Sequence, residues 1–328
     1  MKLKGVLIDL HIHLDGSLSI PIIKCLARLN NVSLPNDETL KTILSVSDDC
    51  NDLNEYLKKF HLPISLLQTK ESLKLASKML CDELKNQGLM YAEIRFAPQL
   101  HTQQGLSQTE VVEAVLDGIR LSDFHANLIL CCMRGNKNFR ENSETLNLTK
   151  RFLNNGVCAI DLAGAEGLYK TNKFNIIFEK ASRQGLPITI HCGEADGPSS
   201  ISSAIAWHPK RLGHGIRILE DLTLTRIISE RDVFFELCPT SNINTKVVSS
   251  YGDFPIRKML KHGLRVTINT DNLTVSNTSL EKEFHHLIDN FLISKEEVPM
   301  LITNSINASF ASNEEKKFMI ERLLNHKF

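Results

Sequence analysis

The feature that most constrains this chain is an alternation of two kinds of segment. Short apolar, often β-branched runs end at glycine, proline or a polar residue, and stretches with helical spacing follow them. The predicted strands are Val6–His13, Met90–Phe96, Asn127–Met133, Val157–Leu162, Ile188–Ile190, Arg211–Leu212, Val233–Cys238 and Leu264–Asn269. Helical stretches include Ser107–Leu121, Glu141–Leu153, Asn175–Gln184, Ser200–Trp207, Asp221–Ser229 and Phe254–His262, with further helices from Ser279 to Phe328. Runs of this apolar kind suit parallel strands covered on both faces. About eight β/α units is the count of a closed parallel barrel. The expected fold is therefore α/β, a (β/α)8 TIM barrel with extra helices after strand 1 and at the C-terminus, forming one domain over residues 1–328. An open doubly wound sheet is the alternative, but no G-x-G-x-x-G follows the first strand.

One segment breaks the rhythm. Between Ile20 and Gly88 there is no convincing strand, although Leu73, Ala76, Leu80 and Leu84 recur at helical spacing. Asn51–Leu67 is apolar and punctuated by Pro63. This excursion, about 20–88, is longer than a connection requires. Extra helical packing and a lid over the site both remain open as its role.

Charge and cysteine usage narrow the function. The 38 basic and 38 acidic residues cancel, which leaves no electrostatic case for nucleic acid or an anionic membrane surface. No apolar run approaches a membrane span. The N-terminus briefly imitates a signal peptide, but Asp9, His11 and His13 interrupt the apolar region. The eight cysteines contain no C-x-x-C and are irregularly spaced, unlike a zinc ribbon or disulfide framework. Cys131, Cys132 and Cys158 lie in apolar runs and are expected to be buried, reduced small hydrophobes, which places the chain in the cytoplasm.

A barrel also gathers chemistry. All strand C-terminal ends of a parallel barrel meet at one rim, where active sites lie. His11 and His13 share one face of the first strand, because alternate side chains point the same way. His191, His214 and Asp271 lie at later strand ends. Three imidazoles and a carboxylate suit zinc, and a catalytic zinc lowers the pKa of its water towards neutrality. Glu194, three residues beyond His191, is placed to act as a general acid/base. His214, between two glycines, could be a ligand or an electrophilic helper.

The motifs Asp9-Leu-His-Ile-His-Leu-Asp-Gly16, Glu93-Ile-Arg-Phe-Ala-Pro98, Asp161-Leu-Ala-Gly164, His191-Cys-Gly-Glu-Ala195, Arg211-Leu-Gly-His-Gly215, Leu237-Cys-Pro-Thr-Ser-Asn242 and Asn269-Thr-Asp271 occur in order along nearly the whole chain. Together they resemble the adenosine deaminase family of the amidohydrolase superfamily. The resemblance implies one zinc ion per chain, held by His11, His13, His191 and Asp271. It implies that Glu194 protonates purine N1 while a hydroxide attacks C6. His214 would orient that hydroxide, and Asp271 would accept the water's proton. Ammonia then leaves, and adenosine becomes inosine. The implied substrate contacts are His13, Asp15 to the ribose 5′-hydroxyl, and the Gly164 N–H to purine N3. Similar adenine deaminases usually carry Glu where this chain has Asp15, which favours a purine nucleoside as the small-molecule partner. Asp15 also suits a helix cap or turn.

The chain departs from the family pattern after Asp271, where the common Asp-Asp-Pro becomes Asp271-Asn272-Leu273. The second Asp would have to present a proton to purine N7. The amide of Asn272 is a donor at any pH and can make the same contact.

Three other readings compete. Adenine, a modified nucleoside or a nucleotide could be the substrate, although no insertion or cationic cluster suits a phosphate. A binuclear amidohydrolase would usually carry a lysine on strand four, and Val157–Gly164 has none. An inactive nucleoside-binding barrel would have lost a ligand or Glu194, and all are present. The zinc cytidine-deaminase signature is absent.

Overall fold

The computed structural model describes residues 3–47 and 49–328. Eight strands follow the expected order: β1 (Leu7–His13), β2 (Leu89–Phe96), β3 (Ala126–Met133), β4 (Val157–Ala163), β5 (Thr189–Cys192), β6 (Arg211–His214), β7 (Phe234–Leu237) and β8 (Arg265–Ile268). Each pairs in parallel with its neighbour, so β1–β4 and β5–β8 form two four-stranded sheets. Single parallel bridges, Ile160 to Ile188 and Ile12 to Asp271, join the sheets at two seams in place of continuous ladders. The Asp271 seam is secured by reciprocal backbone bonds. His13 N–H donates to the Asp271 carbonyl at 2.8 Å, and Asp271 N–H donates to the His11 carbonyl at 2.7 Å. The architecture is the expected (β/α)8 barrel.

The excursion after β1 is helical: α1 (Ile20–Leu29), α2 (Asp37–Leu44), α3 (Leu53–Leu57), α4 (His61–Leu66) and α5 (Lys70–Asn86). Short helices need capped ends, because their first N–H groups lack intrahelical acceptors. Ser19, Asn36, Asp52 and Thr69 supply those caps through side-chain oxygens. Next come α6 (Gln108–Arg120), α7 (Phe139–Phe152), α8 (Asn175–Arg183), α9 (Pro198–Ile205) and α10 (Leu222–Ser229), one after each of β2–β6. After β7 come α11 (Pro239–Asn244) and α12 (Ile256–Lys261). After β8 come α13 (Leu280–Asp289), α14 (Val298–Ala308) and α15 (Asn313–Leu324). Strand residues such as Leu130, Ile190 and Phe235 share one apolar core with the helix residues Leu80, Val115, Phe178 and Leu301. Among the described residues no helix is long and apolar enough to cross a membrane.

Several boundaries shift by a residue or two, and two of the shifts have a clear cause. Helix α9 starts at Pro198 rather than near Ser200, since proline carries a preset φ at the first helical position. Trp207, expected within this helix, lies beyond it, buried and stacked on Phe178 at 4.9 Å. Strand β6 runs on through Gly213 and His214, pairing with His191 and Cys192. A Cβ at Gly213 would stand 3.1 Å from His11 Cε1, so glycine there makes room for the imidazole.

Charges lie inside the barrel. Glu93, Arg95, Asp161, Arg211 and Glu236 are all fully buried. Arg211 pairs with Glu93 Oε2 at 2.6 Å and also with Glu236, and it donates to the Ala308 carbonyl at 3.0 Å. Such charges persist in a low-dielectric interior only when each has its partners.

Glu283 on α13 is a buried acid of a different kind. It lacks a cationic partner among the contacts described for it, and burial raises its pKa to about 7. The folded state therefore holds a proton that the unfolded chain releases near 4.5. This stabilisation is full below the unfolded value and is lost as pH rises through about 7. Glu283→Gln imitates the protonated acid, which bonds Thr240 N–H and Thr278 Oγ1. Urea unfolding should show the variant gaining on the wild type by roughly 3 kcal/mol between pH 5 and pH 8. A pH-independent difference would refute the assignment.

Candidate active site

The C-terminal ends of β1, β5, β6 and β8 converge on one cluster. His11 Nε2 lies 2.9 Å from His191 Nε2, and His13 Nε2 lies 3.2 Å from that same nitrogen. Asp271 Oδ1 is 3.4 Å from His11 Nε2 and 3.3 Å from His13 Nε2. Donor atoms of His11, His191, His214 and Asp271 all lie within 4.8 Å of one another, so these four residues could hold a metal ion. His13 adjoins them through His191 and Asp271.

Carboxylates behind the imidazoles set their tautomers. His11 Nδ1 lies 2.8 Å from Glu236 Oε2. Burial alone would raise Glu236, but Arg95 and Arg211 hold it well below the usual range, so it accepts the His11 proton. His191 Nδ1 stands 2.9 Å from Asp161 Oδ2, close enough for an ion pair though off the hydrogen-bond angle. Burial opposes ionisation of Asp161 as well, and His191 and Arg95 outweigh it. With both Nδ1 atoms protonated, two Nε2 lone pairs face each other at 2.9 Å, beside a carboxylate. Like lone pairs repel unless a cation lies between them. Two nitrogens each about 2.0–2.1 Å from one ion stand about 3 Å apart. The donor set fits a divalent metal of zinc's preference, with the outer carboxylates that metal-binding histidines usually have.

Glu194 lies beside this cluster. Its Oε2 is 3.6 Å from His214 Nε2, and its Oε1 accepts from Thr245 Oγ1 at 3.2 Å and Asn242 Nδ2 at 3.3 Å. Burial, then the negative charges of Asp271 and Glu166, raise its pKa to about 8. It therefore carries a proton at neutral pH. Burial lowers His214 to about 4, leaving a neutral imidazole. Asn242 Nδ2 lies 3.1 Å from His214 Nδ1. With the amide so oriented it donates to Nδ1, and the buried, unpartnered Nε2 of His214 is an N–H donor aimed at the site.

A cavity of about 520 Å³ opens over the cluster. His13, Asp15, Gly164, His191, Glu194, His214, Asp271 and Asn272 all line it, and α3, α4 and the turn between them contribute Leu53, Tyr56, Phe60 and Ile64. Every residue singled out in the sequence borders this space except His11, which lies beneath it. No lysine or arginine is among the described lining residues. Burial raises Asp15 to about 6.

Sequence reading missed the supporting residues. Asp161, Glu236, Arg95 and Arg134 are buried and contact the site residues or their carboxylates. Their signal was available: each is a charge within or directly after a run that is otherwise apolar. Ser241, whose Oγ donates to Asp271 Oδ2 at 2.5 Å, gave no such signal.

A parallel barrel with an imidazole–carboxylate cluster at its C-terminal rim defines a hydrolase of the amidohydrolase type. The family model for adenosine deaminase matches residues 7–326. An adenosine deaminase from Haemophilus ducreyi is 47% identical over 326 residues, spanning 96% of this chain and 95% of its own. Among solved structures, an adenine deaminase from Arthrobacter aurescens superposes with a TM-score of 0.87 at 27% identity, covering 98% of each chain. A zinc-bound amidohydrolase from Burkholderia ambifaria shares the fold at a TM-score of 0.83 and 18% identity, covering 98% of this chain and 94% of its own. The chain belongs to the adenosine deaminase family.

Gly193 makes the turn between His191 and Glu194, with φ of +67°. A Cβ there would also meet Ile201 Cδ1 at 2.5 Å. Gly193→Ala should cost about 1–2 kcal/mol from the left-handed backbone alone. Ile201 Cγ1 lies at 2.7 Å as well, so Ile201→Ala is the partner change. Measured against Ile201→Ala alone, the double variant should recover only what the contact contributes, as read by urea unfolding. Full recovery would show that the backbone conformation carries no penalty.

Proposed function

We propose that this protein catalyses the zinc-dependent hydrolytic deamination of adenosine, and of 2′-deoxyadenosine, to inosine or 2′-deoxyinosine and ammonia. The observation that carries the reading is a buried Glu194 beside a histidine–aspartate cluster in a cavity with no lysine or arginine among its described lining residues. His11, His13, His191 and Asp271 would hold one zinc ion. When bound, zinc supplies Lewis acidity and lowers the pKa of water at the site.

The chain's own residues divide the remaining work. Glu194 gives its proton to purine N1, which draws electron density from C6 and prepares it for attack. Asp271, held ionised by the surrounding imidazoles of His11, His13 and His214 against the opposing effect of burial, takes the proton of the attacking water. Ser241 occupies its Oδ2, leaving Oδ1 to face the imidazoles. His214 directs its Nε2–H at the attacking oxygen, a donor role that its pairing with Asn242 favours over ligation. Water adds to C6, the proton on Asp271 passes to the amino group, which leaves as ammonia, and the hydroxyl proton returns to Glu194 as the C6 carbonyl of inosine forms.

The cavity wall favours a nucleoside over a nucleotide. A phosphate needs cationic partners, whereas the described lining offers acidic Asp15 and no lysine or arginine. Asp15 would accept from the ribose 5′-hydroxyl, the Gly164 N–H would reach N3, and Asn272 would donate to N7. Helices α3 and α4 act as the cover of this cavity. All eight cysteines are free, in keeping with a cytoplasmic setting. The purine salvage reaction is the role this chemistry fits.

Zinc-loaded protein should convert adenosine to inosine, followed by ultraviolet absorbance, and a chelator should abolish turnover. Adenine and AMP should be much poorer substrates in the same assay. Glu194→Gln should lower kcat by about 100-fold or more while still binding inosine. Absence of adenosine turnover by the zinc-loaded wild type would defeat the proposal.

The role of Asn272 has its own test. Asn272→Ala should cost adenosine about tenfold in kcat/KM, the worth of one buried hydrogen bond. The 7-deaza analogue lacks the N7 acceptor and should lose little. Equal losses for both substrates would remove Asn272 from purine recognition.

A further inference from the structure

The segment that carries Glu194 leaves β5 after Cys192, beyond the ladder that β5 makes with β6. Four consecutive backbone N–H groups converge instead on one side chain, Glu166. Its Oε2 accepts from Glu194 at 3.0 Å, Ala195 at 2.8 Å and Asp196 at 2.9 Å. Its Oε1 accepts from Gly193 N–H at 2.7 Å and Ser200 Oγ at 2.5 Å. A run of N–H groups curled around an anion is a nest, and bonds to a charged acceptor are roughly twice as strong as neutral ones. Glu166 is 2% exposed and is not among the residues lining the purine-sized cavity.

The other end of the segment is gripped as well. Buried Arg134 donates to the His191 carbonyl at 2.5 Å and to Thr171 Oγ1 at 3.0 Å. Thr171 Oγ1 in turn lies 2.6 Å from Ser200 Oγ. Glu166, Ser200, Thr171 and Arg134 thus form a closed circuit around the turn, with opposite charges holding its two ends.

We propose that Glu166 is the positioning residue for Glu194. Its carboxylate fixes the backbone of residues 193–196, so that the Glu194 side chain reaches Asn242, Thr245 and the cavity together. An amide cannot replace it, because its NH2 would face N–H groups that need an acceptor. The inference rests on the deaminase reading of the site.

The test is a double-mutant cycle on the metal-loaded enzyme, with Glu166→Gln and Glu194→Gln alone and combined. Glu166→Gln should lower kcat about 100-fold, the cost of misplacing a catalytic group by about 1 Å. KM should stay within about threefold, and the metal content should not change. On top of Glu194→Gln, the same substitution should cost almost nothing further, because it acts through the group already removed. Equal losses in both backgrounds, or a loss confined to KM or metal content, would overturn the proposal. Should Glu166→Gln not fold, Ser200→Ala removes one donor and leaves the four N–H groups. It should cost about fivefold in the wild type, the worth of one hydrogen bond, and nothing in Glu194→Gln. Equal Ser200→Ala losses would overturn it too. A wild type inactive on adenosine would instead defeat the deaminase reading itself.

Discussion

The site depends on one buried guanidinium. Arg95 Nη1 donates to Asp161 Oδ2 at 2.8 Å, and Nη2 donates to Glu236 Oε2 at 3.0 Å. Those same two oxygens face His191 Nδ1 and His11 Nδ1. This cation bridges both carboxylates and, with Arg211 on Glu236 and His191 on Asp161, keeps them ionised, and the ionised carboxylates keep both imidazoles protonated on the inner nitrogen. The outer nitrogens are left as lone pairs at the rim. In a low-dielectric barrel such a network is favourable only when complete, since each charge left alone costs several kcal/mol. Arg95 thus couples β2, β4 and β7 to the imidazoles on β1 and β5, which no one of those strands could position by itself.

Strain lies where the strands end. His214 and Asp271 both adopt left-handed backbone, at φ of +58° and +62°. Non-glycine residues in that region cost about 1–3 kcal/mol each and persist only where surroundings hold them. The backbone bonds with β1 hold Asp271, and the same bonds close one seam of the barrel. Closure of this seam and placement of the Asp271 carboxylate are therefore one event at this residue. That explains why a lone bridge serves where a ladder would be expected: a longer ladder would keep Asp271 extended and turn its carboxylate away from the imidazoles.

The pattern of strand, polar terminus and helix was legible because periodicity and turn chemistry are local. His11, His13, His191, Glu194, His214 and Asp271 could be placed at one rim from that pattern alone, since a parallel barrel sends every strand end the same way. Glu236 and Arg95 resisted, although a charge inside Phe234–Leu237 is conspicuous. Which carboxylate meets which imidazole depends on barrel stagger, and stagger is not written in any one strand. Glu166 was harder still. It follows Gly164 by two residues in a polar turn, where a carboxylate normally faces water, and only the fold brings the 193–196 backbone to it. The two-residue estimate for β6 failed for a related reason. Gly213 reads as a strand breaker, yet the missing side chain is what the His11 ring requires.

The excursion after β1 supplies part of the cavity wall. Tyr56 and Phe60 do not join the main core but pack with Cys50 and Val275 in a small core of their own. The Tyr56 hydroxyl lies 2.7 Å from Ser276 Oγ, and Val46 N–H donates to the Val275 carbonyl at 3.0 Å. The turn that follows Asp271 and Asn272 is therefore the footing for α3 and the segment before it. Helix α3 thus rests on a small separate core, whereas α4 is anchored in the main core through Leu66. The same turn thus carries a proposed metal ligand, the proposed N7 contact and the footing of α3.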